Sequence, residues 1–94
     1  MSYLEAIKKA EAMVAFVTTR FIEDEQKLEE CRTAEQLNKP MYAFVRKDVV
    51  WDKYKDFGWR KVFYWDDTTT DYEIKKFLRE IRDDLAFIKA TGGS

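Results

Sequence analysis

The side chains that could do chemistry in this chain are carboxylates, lysines, tyrosines, threonines and one cysteine, Cys31. The 94 residues include no histidine, and serine occurs only at positions 2 and 94. These absences exclude a Ser-His-Asp triad, a Cys-His pair and a histidine general base within the chain. Glycine occurs only at positions 58, 92 and 93, so neither a P-loop nor a Gly-rich dinucleotide fingerprint is present.

Glu30 is the carboxylate with the strongest case for catalysis, because it falls inside the apolar arc of a predicted helix and lies closer than Glu35 to the sheet edge where ligands bind. A half-buried carboxylate beside a sugar could stabilise the positive charge of an oxocarbenium-like transition state. The alternative is an ordinary ion-paired glutamate, and Glu35 falls in the same arc. Cys31 also lies on the apolar stripe and is interpreted as a core residue rather than a reactive thiol.

Two hydroxyls and a guanidinium follow the first predicted strand, at Thr18, Thr19 and Arg20. Ligands of open parallel sheets bind outside the carboxyl ends of the strands. These three side chains could therefore bind a ribose or a phosphate, and the alternative is that they are ordinary loop residues.

Residues 46–61 mix bases with aromatic side chains. Six bases and three aspartates make this segment locally positive, whereas residues 23–30 carry five acids and one lysine. Aromatic side chains that lie between lysines and arginines can stack on nucleobases, and Trp and Tyr also anchor protein interfaces. We predict an interface formed by Trp51, Tyr54 and Trp59; the alternative is an aromatic connector packed on the sheet.

Apolar periodicity predicts the elements that position these residues. Runs at 13–17, 41–45 and 61–65 are apolar at nearly every position, which is typical of parallel strands covered on both faces. Helices are predicted over residues 2–11, 24–37 and 48–57, and from Thr70 through the apolar pattern that ends at Ile88. Asp24, Asp48 and Thr70 are the expected N-caps. In the third helix Val50, Tyr54 and Phe57 should face inward.

This element order predicts one α/β domain over residues 1–90, followed by a disordered tail over 91–94. We predict a three-layer domain with a three-stranded parallel sheet in the order 1-2-3, and its crossovers should be right-handed. Both crossover helices should lie on one face and the last helix on the other. Because the first strand is then an apolar edge, we expect a partner chain or the N-terminal segment to cover it.

A resemblance adds to this prediction. Residues 30–34 (Glu-Cys-Arg-Thr-Ala) and 38–40 (Asn-Lys-Pro) place a helical glutamate, a small residue four positions later and a Lys-Pro step before a strand. This pattern resembles the second half of Toll/interleukin receptor (TIR) domains and of nucleoside deoxyribosyltransferases. The resemblance implies a flavodoxin-like sheet. Some members cleave NAD or nucleosides with the helical glutamate, and others are self-associating signalling modules. Those domains begin with a strand, a helix and a second strand that have no counterpart here.

The favoured function is a cytoplasmic, non-catalytic TIR-like module that forms a homodimer or binds a TIR-like protein, with no cofactor and no metal. One alternative is an enzyme for nucleoside or NAD N-glycosidic bonds, with Glu30 catalytic and the Thr18–Arg20 segment binding the nucleotide. Another is a small nucleic-acid-binding domain that uses residues 46–61. The net charge of −1 argues against the latter and against an anionic membrane surface. No apolar run approaches the ~20 residues that would span a bilayer.

Overall fold

The structure of the protein is a computed structural model that describes residues 11–92. In chain order its elements are β1 (Met13–Val17), α1 (Thr19–Glu23), α2 (Glu25–Gln36), β2 (Met41–Arg46), β3 (Trp59–Trp65) and α3 (Asp71–Ala90). The three strands are parallel, and their order in the sheet is β1-β2-β3. The predicted α/β fold is confirmed, and it is consistent with a small flavodoxin-like domain.

Side-chain caps set the starts of the helices. Asp24 accepts a hydrogen bond from the Gln26 amide at 2.9 Å, which begins α2 where the sequence predicts it. A separate short helix, α1, precedes it, because the Thr18 hydroxyl accepts from the Phe21 amide at 3.3 Å. Thr18 was interpreted from the sequence only as a ligand-binding residue, so this helix was not predicted.

The helix predicted over residues 48–57 is wrong, because a series of turns connects β2 to β3 instead. The amide of Tyr54 donates to the Trp51 carbonyl at 2.8 Å, and the turns bury Val49, Trp51 and Tyr54. Val50, predicted to face inward, is 72% exposed. A helix of two or three turns has little stability of its own, so the packing of the large rings determines the path of the chain.

The sheet separates two apolar cores. On one face, α1, α2 and the connection over residues 47–58 pack on β1 and β2; the buried side chains are Ala15, Val17, Phe21, Cys31, Ala34, Met41, Ala43, Val45, Val49, Trp51 and Tyr54. On the other face, α3 packs through Ile81 on Tyr42, Phe44 and Phe63. The placement of both crossovers on one face and the last helix on the other is confirmed. As a result β2 is buried on both faces.

β1 departs from the prediction that it is covered on both faces. Ala15 and Val17 are buried, but Val14 is 39% exposed and Phe16 is 61% exposed. These two exposed residues share the α3 face with Tyr42 and Phe44, with which they are in register. One helix about 10 Å wide covers about two strands spaced about 4.8 Å apart. α3 covers β2 and β3, and β1 is left as a half-covered edge.

The two ends of the chain bear on two further predictions. The helix predicted over residues 2–11 lies almost entirely outside the described residues, as do residues 93 and 94 of the predicted tail. Thr91 is ordered as the C-cap of α3, and Gly92 follows with a φ of 72°, a left-handed conformation suited to glycine. None of the helices within residues 11–92 has both the length and the apolar character needed to cross a membrane.

The N-cap of α3 gives a direct test of the local structure. Thr70 accepts a hydrogen bond from the Glu73 amide at 3.2 Å. Thr70→Ala is expected to lower the free energy of unfolding by about 1 kcal/mol, because this amide loses its partner. Lys75→Ala, an exposed change on the same helix, should stay within about 0.5 kcal/mol. Urea denaturation measures both variants, and equal losses would contradict a role for the cap.

Candidate functional site

A shallow cavity of about 540 Å³ runs along the edge of β1. One wall is β1 itself, from Met13 to Phe16, and the other carries four charged side chains: Arg20, Asp24, Lys27 and Glu30. We call this cavity the β1 groove. It forms because β1 ends at Val17 and the chain turns back through α1 and α2.

The β1 groove brings together three of the four residues that were predicted to catalyse a reaction or to bind a ligand. Thr18, Arg20 and Glu30 all line it. Thr19 is the exposed first residue of α1 and is not part of the lining. The Thr18 hydroxyl already serves as the N-cap of α1, so its acceptor capacity is partly used within the protein.

Glu30 is ion-paired at the wall of the groove. Its carboxylate lies 3.5 Å from Nζ of Lys27, one turn earlier on α2, and its side chain is 18% exposed. A carboxylate in this position can still contact a ligand in the groove. Glu35, the other acid of the same arc, instead accepts a hydrogen bond from the Gly58 amide at 2.7 Å. Glu35 therefore fastens α2 to the residue that precedes β3.

The aromatic side chains predicted to form an interface lie in or against the core. Trp51 and Tyr54 are 5% and 1% exposed. Trp59 is partly buried, and its Nε1 donates to the Tyr54 carbonyl at 2.6 Å. Their burial corrects the prediction that Trp51 and Tyr54 anchor a partner. It also removes both rings as a surface on which nucleobases could stack.

A polar cluster that the sequence analysis did not single out joins α3 to β2 and β3. The Asp84 carboxylate accepts from the Tyr42 hydroxyl at 2.6 Å and from Nε and a terminal nitrogen of Arg60 at 2.6 and 3.1 Å. The contact with Arg60 is bidentate, the geometry that suits a guanidinium and a carboxylate. A sequence signal was present, because Asp84 lies three residues after Ile81 and four before Ile88, within the apolar arc of α3.

The contacts within this cluster shift the pKa values of Asp84 and Tyr42. The Arg60 guanidinium, with the Tyr42 hydroxyl, lowers the pKa of Asp84 to about 2. Burial and the bond to Asp84 raise the pKa of Tyr42 to about 12. Because each polar group of the cluster is hydrogen-bonded to another of its members, we assign the cluster a structural role. A second cavity of about 420 Å³ lies beside it and is lined in part by Arg60 and Phe87.

The remaining candidates for chemistry are accounted for by burial. Cys31 is fully buried between α2 and the sheet, and this burial raises the pKa of its thiol to about 12. The thiol is therefore protonated at neutral pH and inaccessible, which confirms the interpretation as a core residue. Over residues 11–92, no three acidic or thiol side chains come together as a metal-binding group.

The fold and the groove define a small α/β domain with a three-stranded parallel sheet, one edge of which is half-covered and lined by charged side chains. No protein-family model matches the chain, and neither a curated protein nor a solved structure gives a match. The geometry of this edge is therefore the basis on which a function is proposed.

Proposed function

We propose that the chain is a non-catalytic, TIR-like protein-interaction module that self-associates through the outer edge of β1. The observation that carries this proposal is the exposure of Phe16, 61%, on a strand whose one neighbour within residues 11–92 is β2. An edge strand presents unpaired N–H and C=O groups to an incoming strand. Addition of a strand to such an edge is a recurring mode of protein recognition.

The composition of β1 supports the same proposal. Natural edge strands are protected against pairing by lysine, proline, bulges or inward-pointing charges. Within the described residues, the β1 strand Met-Val-Ala-Phe-Val carries no lysine, proline or charged side chain, and it pairs with β2 without a register shift. Because β1 is apolar and unprotected, we expect it to be covered in solution.

The chemistry of the chain also favours an interaction module over an enzyme. The thiol of Cys31 is buried, and Asp84 and Tyr42 bind one another. Glu30 is paired with Lys27. The sequence has no histidine that could act as a general base at neutral pH.

Mass measured by light scattering over a concentration series tests the proposal. Between about 1 μM and 1 mM, the range of typical weak and moderate associations, the mass should rise from one chain of 11.3 kDa toward twice that value. A mass of one chain at every concentration would contradict self-association. NAD or adenosine should leave the series unchanged, because the proposed contact needs no nucleotide.

A second candidate function is an enzyme that cleaves nucleoside or NAD N-glycosidic bonds. The convergence of Thr18, Arg20 and Glu30 on the β1 groove favours it. In this alternative the hydroxyl and the guanidinium bind ribose or phosphate, and the carboxylate stabilises an oxocarbenium-like transition state. Residues 13–16 of β1 form one wall of the groove, so a strand added to β1 would cover the same site.

Release of nicotinamide or of a free base, measured by chromatography, separates the two functions. If the chain self-associates and is not an enzyme, the wild type and Glu30→Gln should both give no turnover. If the β1 groove is catalytic, Glu30→Gln should lower turnover by at least about 100-fold, since the charge that stabilises the transition state is lost. Glu29→Gln, an exposed neighbour on α2, is the control and should retain turnover.

A further inference from the structure

We infer that the strand added to β1 is the β1 strand of a second copy, antiparallel, with Phe16 of each chain opposite Val14 of the other. This inference rests on the proposed self-association and adds the identity and register of the partner strand. It would join two three-stranded sheets into one sheet of six strands with a twofold axis at Ala15.

The backbone of β1 fixes which residues can pair outward. The Met13 amide donates to the Pro40 carbonyl at 2.8 Å, so the N–H and C=O groups of Met13 point toward β2. These groups alternate in direction along a strand. The backbone groups of Ala15 and Val17 therefore also point toward β2, and those of Val14 and Phe16 point away from the sheet.

Symmetry selects the direction of the pairing. Most homodimers are closed by a twofold axis, which brings the same surface of both copies together. A twofold axis normal to the sheet reverses the direction of the second β1 and keeps the two α3 faces on the same side. The exposed side chains of both copies then lie on one face of the joined sheet.

The length of β1 selects the register. Opposite residues must both be odd-numbered or both even-numbered, because a shift by one residue would turn the side chains to the other face. Among such registers, the one centred on Ala15 pairs all five residues of Met13–Val17. It places Val14 opposite Phe16 twice, and each of these is a hydrogen-bonded pair because both residues direct their backbone groups outward.

The side chains on the α3 face fit this register. Phe16 and Val14 are the exposed apolar residues of β1, and the pairing covers each with the other. The Phe16 ring stacks on Phe44 in its own chain, with ring centroids 5.3 Å apart and an interplanar angle of 13°. This stacking already orients the Phe16 ring for the contact in the single chain.

The charges on the other face favour an identical partner. The rim of the β1 groove carries two bases, Arg20 and Lys27, and two acids, Asp24 and Glu30. A balanced rim can face its own copy without net repulsion, whereas a strongly charged partner would gain little from it.

Crossed cysteine variants test the register. Val14→Cys and Phe16→Cys chains, one of them carrying a size tag, are mixed and mildly oxidised. The mixture is expected to form a disulfide between unlike chains, because opposite Cα atoms lie about 5.5 Å apart. Either variant alone should cross-link far less, since like positions are about 9 Å apart. Buried Cys31 is present in every chain, and the wild type gives its background.

The outcomes separate the inference from the proposed function. Self-linking of either variant as strong as in the mixture would overturn the register and leave self-association standing. A wild-type mass of one chain, with no cross-link, would overturn both. The flanking pair Ala12→Cys and Thr18→Cys keeps both apolar side chains and must cross-link in the same crossed pattern. If the wild-type mass doubles but neither cysteine pair forms a disulfide between unlike chains, the inference alone is wrong.

Discussion

Phe16→Glu is expected to keep the chain monomeric at concentrations at which the wild type is a dimer. The substitution would place two carboxylates in the seam between the β1 strands, where they lose water and have no partner. A cost of about 3 kcal/mol corresponds to a rise of about 100-fold in the dissociation constant. The monomer itself should remain folded, because the Phe16 side chain is 61% exposed.

Phe87→Glu is the matched control for this variant. Phe87 is also an exposed aromatic residue, at 63%, but it lies on α3 and lines the cavity beside Arg60. Light scattering should therefore give a dimer for Phe87→Glu and a monomer for Phe16→Glu. Equal behaviour of the two variants would show that the β1 edge is not the contact.

Asp84→Ala should cause a large loss of stability for a single change outside the apolar core. It leaves the buried Tyr42 hydroxyl without its acceptor and removes the bidentate partner of Arg60. Such losses lower the free energy of unfolding by about 2–3 kcal/mol, a large part of the roughly 5–10 kcal/mol expected for a domain of this size.

The adjacent Asp83 provides the control for Asp84→Ala. Its side chain is 70% exposed and lies 3.9 Å from Arg82, so Asp83→Ala should change the free energy of unfolding by less than about 0.5 kcal/mol. Urea denaturation at pH 7 measures both variants. If Asp84→Ala costs no more than Asp83→Ala, the cluster does not stabilise the fold.

The pKa shifts of the cluster predict how this stability depends on pH. The pKa of Asp84 is lowered from 3.8 to about 2 in the folded protein. The contribution of its ionised form is therefore present above pH 4 and lost as the pH falls toward 2, so the wild type and Asp84→Ala should converge in that interval. The pKa of Tyr42 is raised from 10.0 to about 12. Its contribution is present below pH 10 and lost as the pH rises toward 12.

The features that the sequence predicted are those that depend on local patterns. The strands were identified by short apolar runs, and α2 and α3 by side-chain caps at Asp24 and Thr70. For strands in the order 1-2-3, right-handed crossovers also predicted that both connections lie on one face of the sheet. Cys31 was placed in the core because it falls on the apolar stripe of its helix.

The features that were missed depend on contacts between distant segments. The turns of residues 47–58 follow from the packing of Trp51 and Tyr54, which a helical period cannot describe. The exposure of Phe16 depends on how many strands α3 can cover. The link from Asp84 to Arg60 and Tyr42 joins three elements, although the position of Asp84 on an apolar helix face was visible in the sequence.

Hydrogen exchange of the β1 amides tests the central claim most directly. The Met13 amide is bonded to Pro40 and should be protected at every protein concentration. The amides of Val14 and Phe16 are predicted to exchange rapidly in dilute protein and to become protected in step with the rise in mass. If the mass doubles while these two amides exchange at an unchanged rate, the copies associate elsewhere and the proposed role of β1 is wrong.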